Sequence, residues 1–166
     1  METFVISDTH FFHANILKYC DRPFTSVDEM NQHMMERWNS VVSPNDLVYH
    51  LGDVYLGNKV PETEVLSFLL KLNGRKRLIL GNHDRGKDPI LHQIFEKIYM
   101  GRIFKDKGLI LSHFPLHPMY TIVGDVEFLN VHGHIHEKES PEGRYKNVSV
   151  EAIDYTPINI EELRIR

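Results

Sequence analysis

Five short segments of this chain collect residues able to hold a cation: Asp8-Thr9-His10, Gly52-Asp53, Gly81-Asn82-His83-Asp84, His113 within Leu111-Ser112-His113-Phe114, and Gly133-His134-Ile135-His136. Carboxylate, amide and imidazole groups without thiolate suit hard or borderline divalent metals. Two such cations held close together would serve the hydrolysis of phosphate esters. They neutralise the anion that a nucleophile must approach, generate hydroxide from bound water, and clamp the attacking and leaving oxygens. Taken alone, Asp8 and Asp53 could be turn or capping residues, and a lone His113 is more often a structural or surface histidine. Five such segments together read as a site.

Each segment follows an apolar run: Phe4-Val5-Ile6, Leu47-Val48-Tyr49, Leu78-Ile79-Leu80, Leu109-Ile110-Leu111 and Phe128-Leu129-Asn130-Val131. Short runs of this kind ending in Gly, Asp, Asn or His predict buried strands that deliver polar residues at their carboxyl ends. Ligand clefts in α/β sheets lie at those ends. A first strand is expected over residues 3–7 and a short helix from about Ala14 to Tyr19. Ser26 with Glu29 three positions on forms a capping-box pattern, opening a helix to about Asn39 whose Val27, Met30, Met34 and Trp38 make an apolar stripe. Pro61 starts a helix that turns Val65, Leu66, Leu69 and Leu72 inward and stops at Asn73-Gly74. Asp88-Pro89 opens another, expected to run to about Tyr99. Strands then dominate: Ile103-Phe104, Leu109 to Ser112, Glu127 to Val131 and Asn147 to Val150. The stretch Glu161 to Arg164 reads as a short helix or a last strand. This order fits two packed sheets with helices outside.

At 166 residues, the simplest organisation is one domain over residues 1–166, large enough for a substantial core. The apolar share of 42% and charged share of 25% are those of a soluble globular protein. No apolar stretch has bilayer-crossing length, the first strand begins at once, and nothing reads as a signal peptide. Cys20 is the sole cysteine, so no internal disulfide can form and a reducing, cytoplasmic setting is expected. It reads as a small buried or half-buried thiol. The net charge of -4 disfavours a grip on long nucleic acid, and two divalent cations would cancel it. Arg75-Lys76-Arg77 reads as the solvated start of a strand. Eleven histidines are consistent with a metal site without establishing one.

The order D-x-H, G-D, G-N-H-[DE], a lone H and G-H-x-H, running from Asp8 to His136, resembles the calcineurin-like metallophosphoesterases. The resemblance covers most of the chain and implies a four-layer α/β/β/α sandwich of two mixed sheets flanked by helices, with metals at its rim. It implies two divalent ions bridged by Asp53, with Asp8, His10 and His136 completing one ligand set and Asn82, His113 and His134 the other. Manganese is the first choice on family grounds; Fe, Co, Ni and Zn suit the same ligands. By the same resemblance His83 is a general acid or transition-state stabiliser oriented by Asp84. His134 and His136, two apart, would point the same way on a straight strand, and Gly133 would let the backbone approach the metals.

Short intervals between the segments leave no room for a large cap, so a shallow site open to varied substrates is expected, as in the small phosphodiesterase branch. The opening Asp-Thr-His-Phe-Phe-His-Ala-Asn also resembles a phage and bacterial subgroup. These analogies point to a phosphodiesterase acting on a small phosphate-ester or nucleotide-like substrate, with no membrane partner. A phosphomonoesterase or nucleotidase, or a protein phosphatase, is the alternative; a non-catalytic scaffold is disfavoured because no ligand is missing. Arg22 and Arg85 are candidate phosphate contacts because a guanidinium offers phosphate two donors. His13 is a candidate substrate contact or ligand support, His132 a supporting or structural residue, and His33 and His92 solvated helix positions. Nothing in the sequence fixes an oligomeric state.

Overall fold

The computed structural model describes residues 1–163. Four parallel strands, β1 (Thr3–Ile6), β2 (Leu47–His50), β3 (Arg75–Ile79) and β4 (Lys97–Tyr99), form one sheet. Its order is β11-β1-β2-β3-β4, with β11 (Ile158–Asn159) antiparallel to β1 at the edge. The second sheet has the order β10-β9-β6-β5, from β5 (Arg102–Phe104), β6 (Leu109–Leu111), β9 (Leu129–His132) and β10 (Tyr145–Asn147). Its strand β9 runs parallel to both β6 and β10, while β5 is antiparallel to β6. A separate hairpin joins β7 (Ile122–Val123) to β8 (Val126–Glu127).

All four α-helices precede β5: α1 (Ile16–Tyr19), α2 (Val27–Val41), α3 (Glu62–Leu69) and α4 (Pro89–Ile94). Among the described residues, only short 3-10 turns follow. The result is the mixed α/β architecture of two mixed sheets with helices that the sequence implied. One buried cluster runs through both sheets, with Val5, Val48 and Leu78 from the first and Leu109, Leu111 and Val131 from the second.

Helix α2 starts where its cap chemistry requires. Ser26 Oγ accepts from Glu29 N at 3.1 Å, while Glu29 reaches past Ser26 to accept from Thr25 N and Thr25 Oγ1 at 2.7 and 2.6 Å. Met30, Met34 and Trp38 of its stripe are fully buried, each stabilising the fold by roughly 1.5–3 kcal/mol. Trp38 Nε1 donates to Asn73 O at 2.9 Å, tying α2 to the loop before β3.

Three expectations need correction. Helix α4 ends at Ile94, not near Tyr99: Phe95 turns extended, Glu96 N donates to Lys76 O, and residues 97–99 become β4. Without them β3 would expose its backbone polar groups, so sheet pairing overrides helical propensity. The strand expected over 147–150 stops at Asn147, and Val150–Ile153 forms a 3-10 turn. Lys76 is only 9% exposed rather than solvated, and its Nζ donates to Gly74 O at 2.8 Å. The ambiguous last stretch is a 3-10 turn over Ile160–Leu163, with Arg164 outside the described residues.

What matters for chemistry is where the strands end. Strands β1, β2 and β3 of the first sheet and β6 and β9 of the second each release one of the five polar segments at the carboxyl end. The two sheets are joined just there: Ser7 N donates to Val148 O at 2.9 Å and Val150 N to Ser7 O at 3.1 Å.

Candidate metal centre

Side chains from five strand ends converge into two groups. In the first, Asp8 Oδ1 lies 4.0 Å from His10 Nε2 and 3.8 Å from His136 Nε2. In the second, Asp53, His113 and His134 bring ligand atoms within 4.8 Å of one another. Asn82 Oδ1 joins them, 2.9 Å from His113 Nε2 and 3.0 Å from His134 Nδ1. Asp53 Oδ2 stands 3.5 Å from both His10 Nε2 and His113 Nε2, and so faces both groups. Ligand atoms about 2.1 Å from a common cation stand roughly 3–4 Å apart, which matches these spacings.

The polar atoms in this pocket have unmet needs that a divalent cation would satisfy. Asp8 Oδ1 and His10 Nε2 are buried without any hydrogen-bond partner. His113 Nδ1 donates to Leu51 O at 2.7 Å, which leaves the Nε2 lone pair of a neutral ring aimed at Asn82 Oδ1 and Asp53 Oδ2. His136 Nδ1 donates to Glu151 Oε1 at 3.0 Å, with its Nε2 3.8 Å from Asp8 Oδ1. Lone pairs facing carboxylate and amide oxygens repel unless a positive charge lies between them. Asp8 and Asp53, 0% and 2% exposed, are carboxylates that need such compensation. Burial works against the charge on Asp53, but the His10 and His113 rings beside it and the hydrogen bond from the His83 N–H hold its carboxyl well below the usual range. The residues present therefore fit divalent metal.

The backbone is bent to achieve this. Five of the seven candidate ligands, Asp8, His10, Asp53, His134 and His136, sit at positive φ (58°, 47°, 57°, 70° and 53°). Such left-handed conformations are costly for non-glycine residues and cluster where a structure holds groups for function. They also correct one expectation: β9 ends at His132, so His134 and His136 lie in a turn and divide between the two groups rather than sharing a direction. Two glycines allow the close approach. A Cβ on Gly52 would stand 2.6 Å from His113 Nδ1, and one on Gly133 would collide with Asp8 Oδ2 and Ser7 Oγ.

Residues around the ligands hold them in place. Asp8 Oδ2 accepts from His134 N at 2.8 Å and Ser149 Oγ at 3.1 Å. Asp84 differs from expectation. Its carboxylate accepts from Asp53 N, Gly81 N and Val54 N at 2.8, 2.8 and 3.0 Å, and among the described residues it makes no hydrogen bond to the His83 imidazole. It is committed to the turn that presents Asp53. His83 itself is exposed, its ring edge-on to His10 at 5.5 Å and its N–H on Asp53 Oδ1 at 2.9 Å. His50 is buried and neutral, burial pulling its pKa down to about 3. Gly52 N donates to its Nδ1, so Nε2 carries the proton that reaches Thr9 Oγ1, and Thr9 in turn donates to Val54 O. This relay braces both ligand turns beneath the site.

Arg22 is no phosphate contact. Its buried guanidinium donates to Asp8 O at 2.7 Å, Thr9 O at 2.8 Å and Glu151 at 2.8 and 2.9 Å. Glu151, which the sequence did not single out, thus joins Arg22 to His136. No local motif marks it, because its partners lie 129 and 15 residues away. His13 Nδ1 is 3.4 Å from His10 Nδ1, supporting that ligand, with burial and then His10 pulling its pKa down to about 4. His132 is buried against Gly133 O and Ser140 Oγ. His33 is half-buried against the rings of Phe24 and Tyr155 rather than solvated, whereas His92 is exposed. Cys20 is half-buried beside His136 and Glu151. No described helix is long and apolar enough to cross a membrane.

An uncharacterized protein of Methanocaldococcus jannaschii is 39% identical, covering 95% of this chain and 86% of that protein. The Gene 66 protein of Mycobacterium phage D29 is 33% identical, covering 80% and 77%, and that of phage L5 is 30% identical, covering 81% and 77%. The crystal structure of a protein of unknown function from Aquifex aeolicus superposes with a TM-score of 0.75 at 31% identity, covering 98% of this chain and 97% of that one. The family described as calcineurin-like phosphoesterase matches residues 1–163. With those matches and a ligand-rich pocket at the rim of two sheets, the chain belongs to the calcineurin-like phosphoesterases, metal-dependent hydrolases of phosphoric esters.

Proposed function

We propose that the chain is a phosphodiesterase that hydrolyses small phosphate diesters with two divalent cations sharing Asp53, manganese being the first to test. One observation carries this reading: a single oxygen, Asp53 Oδ2, lies 3.5 Å from a nitrogen of each ligand group. Two cations close together need an anion between them, and Asp53 Oδ2 is placed to be that anion. Asp8, His10 and His136 would complete one ligand set; Asn82, His113 and His134 would complete the other. When bound, the ions supply Lewis acidity and a hydroxide nucleophile.

The protein's own groups orient and protonate. His83 projects into solvent beside the ligands, held through its N–H by Asp53 Oδ1. In hydrolysis, phosphorus gains a bond to the oxygen of water and loses its bond to the leaving oxygen, which takes the imidazolium proton of His83. The diester preference is supported by room on two flanks: cavities of ≈400 Å³ and ≈480 Å³ share His83 in their walls.

Hydrolysis of bis-p-nitrophenyl phosphate with manganese and with chelator tests the reading. Turnover lost on chelation and absent in Asp53→Asn is expected. Inert protein that still binds metal would make the chain a scaffold, and a strong preference for monoesters would overturn the diester assignment while leaving the ligands as they are.

A further inference from the structure

The larger of the two cavities contains none of the seven candidate ligands. It shares His83 with the metal pocket and extends from there between the loop before α3 and the loop before α4. Its floor is apolar, built on buried Val65 and Leu91 with the half-buried ring of Tyr55. Its rim carries Arg85 and Lys87, both exposed, whose charged ends have no hydrogen-bond or ion-pair partner among the described residues. The carboxylates lining the same cavity are mostly committed elsewhere. Asp84 accepts three backbone amides, and Asp88 accepts Ile90 N at 2.8 Å and Tyr55 O–H at 2.5 Å. Only Glu62, in the first turn of α3, is uncommitted. The rim loop is also pinned, by Asp88 N on Arg85 O at 2.9 Å and His92 Nε2 on Gly86 O at 2.8 Å. Cations carried on a pinned loop over an apolar floor suit a ligand with a flat apolar body and an anionic end.

We propose that this cavity receives the leaving half of the substrate and that this half is a nucleotide, its ring body on the Tyr55 floor and its own phosphate between Arg85 and Lys87. The inference rests on the phosphodiesterase reading, because His83 then stands between the scissile phosphate and the group that departs. It narrows the substrate from small diesters in general to the ends of short oligonucleotides. A volume of ≈480 Å³ lies within the roughly 300–1,000 Å³ of small-molecule sites.

The test uses the manganese-loaded protein and three dinucleotides: TpT, pTpT with a 5′ phosphate, and TpTp with a 3′ phosphate. One phosphate-bearing dinucleotide should show a KM about tenfold below that of TpT, the worth of one charge-assisted contact. The double variant Arg85→Ala/Lys87→Ala should bring that ratio to near one. Calorimetric binding of thymidine 3′,5′-bisphosphate to chelator-treated protein supplies a readout without turnover, and the same variant should weaken it about tenfold or more. Equal KM values for all three dinucleotides, an advantage that survives in the variant, or unchanged bisphosphate binding would each overturn the proposal. Absence of metal-dependent turnover on every diester would instead sink the phosphodiesterase reading, with the binding arm still deciding what the cavity takes.

Discussion

Glu151 does two jobs, and one substitution pair separates them. Its Oε1 accepts Arg22 Nε at 2.9 Å, Arg22 Nη2 at 2.8 Å and His136 Nδ1 at 3.0 Å, with side chains 0% exposed for Arg22 and 6% for Glu151. In Glu151→Ala the Arg22 guanidinium stays buried without its counter-charge. Breaking a buried pair from one side costs about 3–5 kcal/mol. The lower end applies, because Arg22 keeps its bonds to Asp8 O, Thr9 O and Met30 Sδ. For a chain of this size, roughly 3 kcal/mol corresponds to a fall in Tm of about 6–12 °C, measured in chelator so that metal binding does not contribute. The same change frees the His136 ring, and loss of such a supporting partner lowers metal affinity about 10–100-fold.

The double variant Arg22→Met/Glu151→Leu replaces the pair with apolar groups, which buried pairs often tolerate at little cost. Its Tm should recover most of the loss, while its manganese affinity by calorimetry should stay as weak as in the single variant. A Glu151→Ala protein with an unchanged melt, or a double variant that regains wild-type manganese binding, would refute the reasoning.

His83→Ala should retain manganese, since its ring ligates neither group, and should lower kcat about 10²–10⁴-fold on an alkyl leaving group but far less on p-nitrophenolate; equal losses on both would argue against proton donation. Gly133→Ala forces a methyl group into Asp8 Oδ2 and Ser7 Oγ, an overpacking worth about 1–3 kcal/mol; calorimetry should show weakened manganese binding, and unaltered affinity would mean the turn relaxes freely. Burial pulls the Lys76 pKa down to about 8 from 10.5, so between those values the unfolded chain binds more protons and stability rises with pH. Lys76→Met should therefore be more stable than the parent at pH 7 by roughly 2–4 kcal/mol, the gap closing as pH rises from about 8 toward 10.5; denaturant melts in chelator at the two ends of that window check the sign.

The candidate site was legible because each candidate ligand stands within a few residues of an apolar run, so a local pattern marks both the strand and its cargo. The structure brings together the seven residues that the family resemblance implied as ligands. What escaped was whatever depends on distant partners. Lys97–Tyr99 continued a helical apolar pattern, and only the unpaired edge of β3 turns it into a strand. Arg22 looked like a free guanidinium because Glu151 lies 129 residues away. Asp84 stood next to His83 in sequence, yet its oxygens went to three amides, which a one-dimensional pattern cannot weigh. The direction of His134 and His136 was misjudged for a related reason. Alternation holds only inside a strand, and both sit beyond the end of β9 at positive φ.

That left-handed turn, with those at Asp8, His10 and Asp53, stores unfavourable backbone energy of roughly 1 kcal/mol or more per residue. The partnerless buried Asp8 Oδ1 and His10 Nε2 add a desolvation cost of the kind a cation relieves. Strain and unmet polarity concentrated at one rim mean that the metal-free fold is held by the core and the Arg22–Glu151 clamp, with its ligands already gathered. Manganese should then stabilise by simple mass action rather than by inducing the fold, adding about 2.7 kcal/mol at a hundredfold excess over Kd and raising Tm by roughly 5–11 °C. Far-ultraviolet circular dichroism should change little on the same addition. A metal-free protein that is largely unfolded, or a Tm indifferent to manganese while Asp53→Asn melts like the parent, would show that these side chains meet for some reason other than a cation.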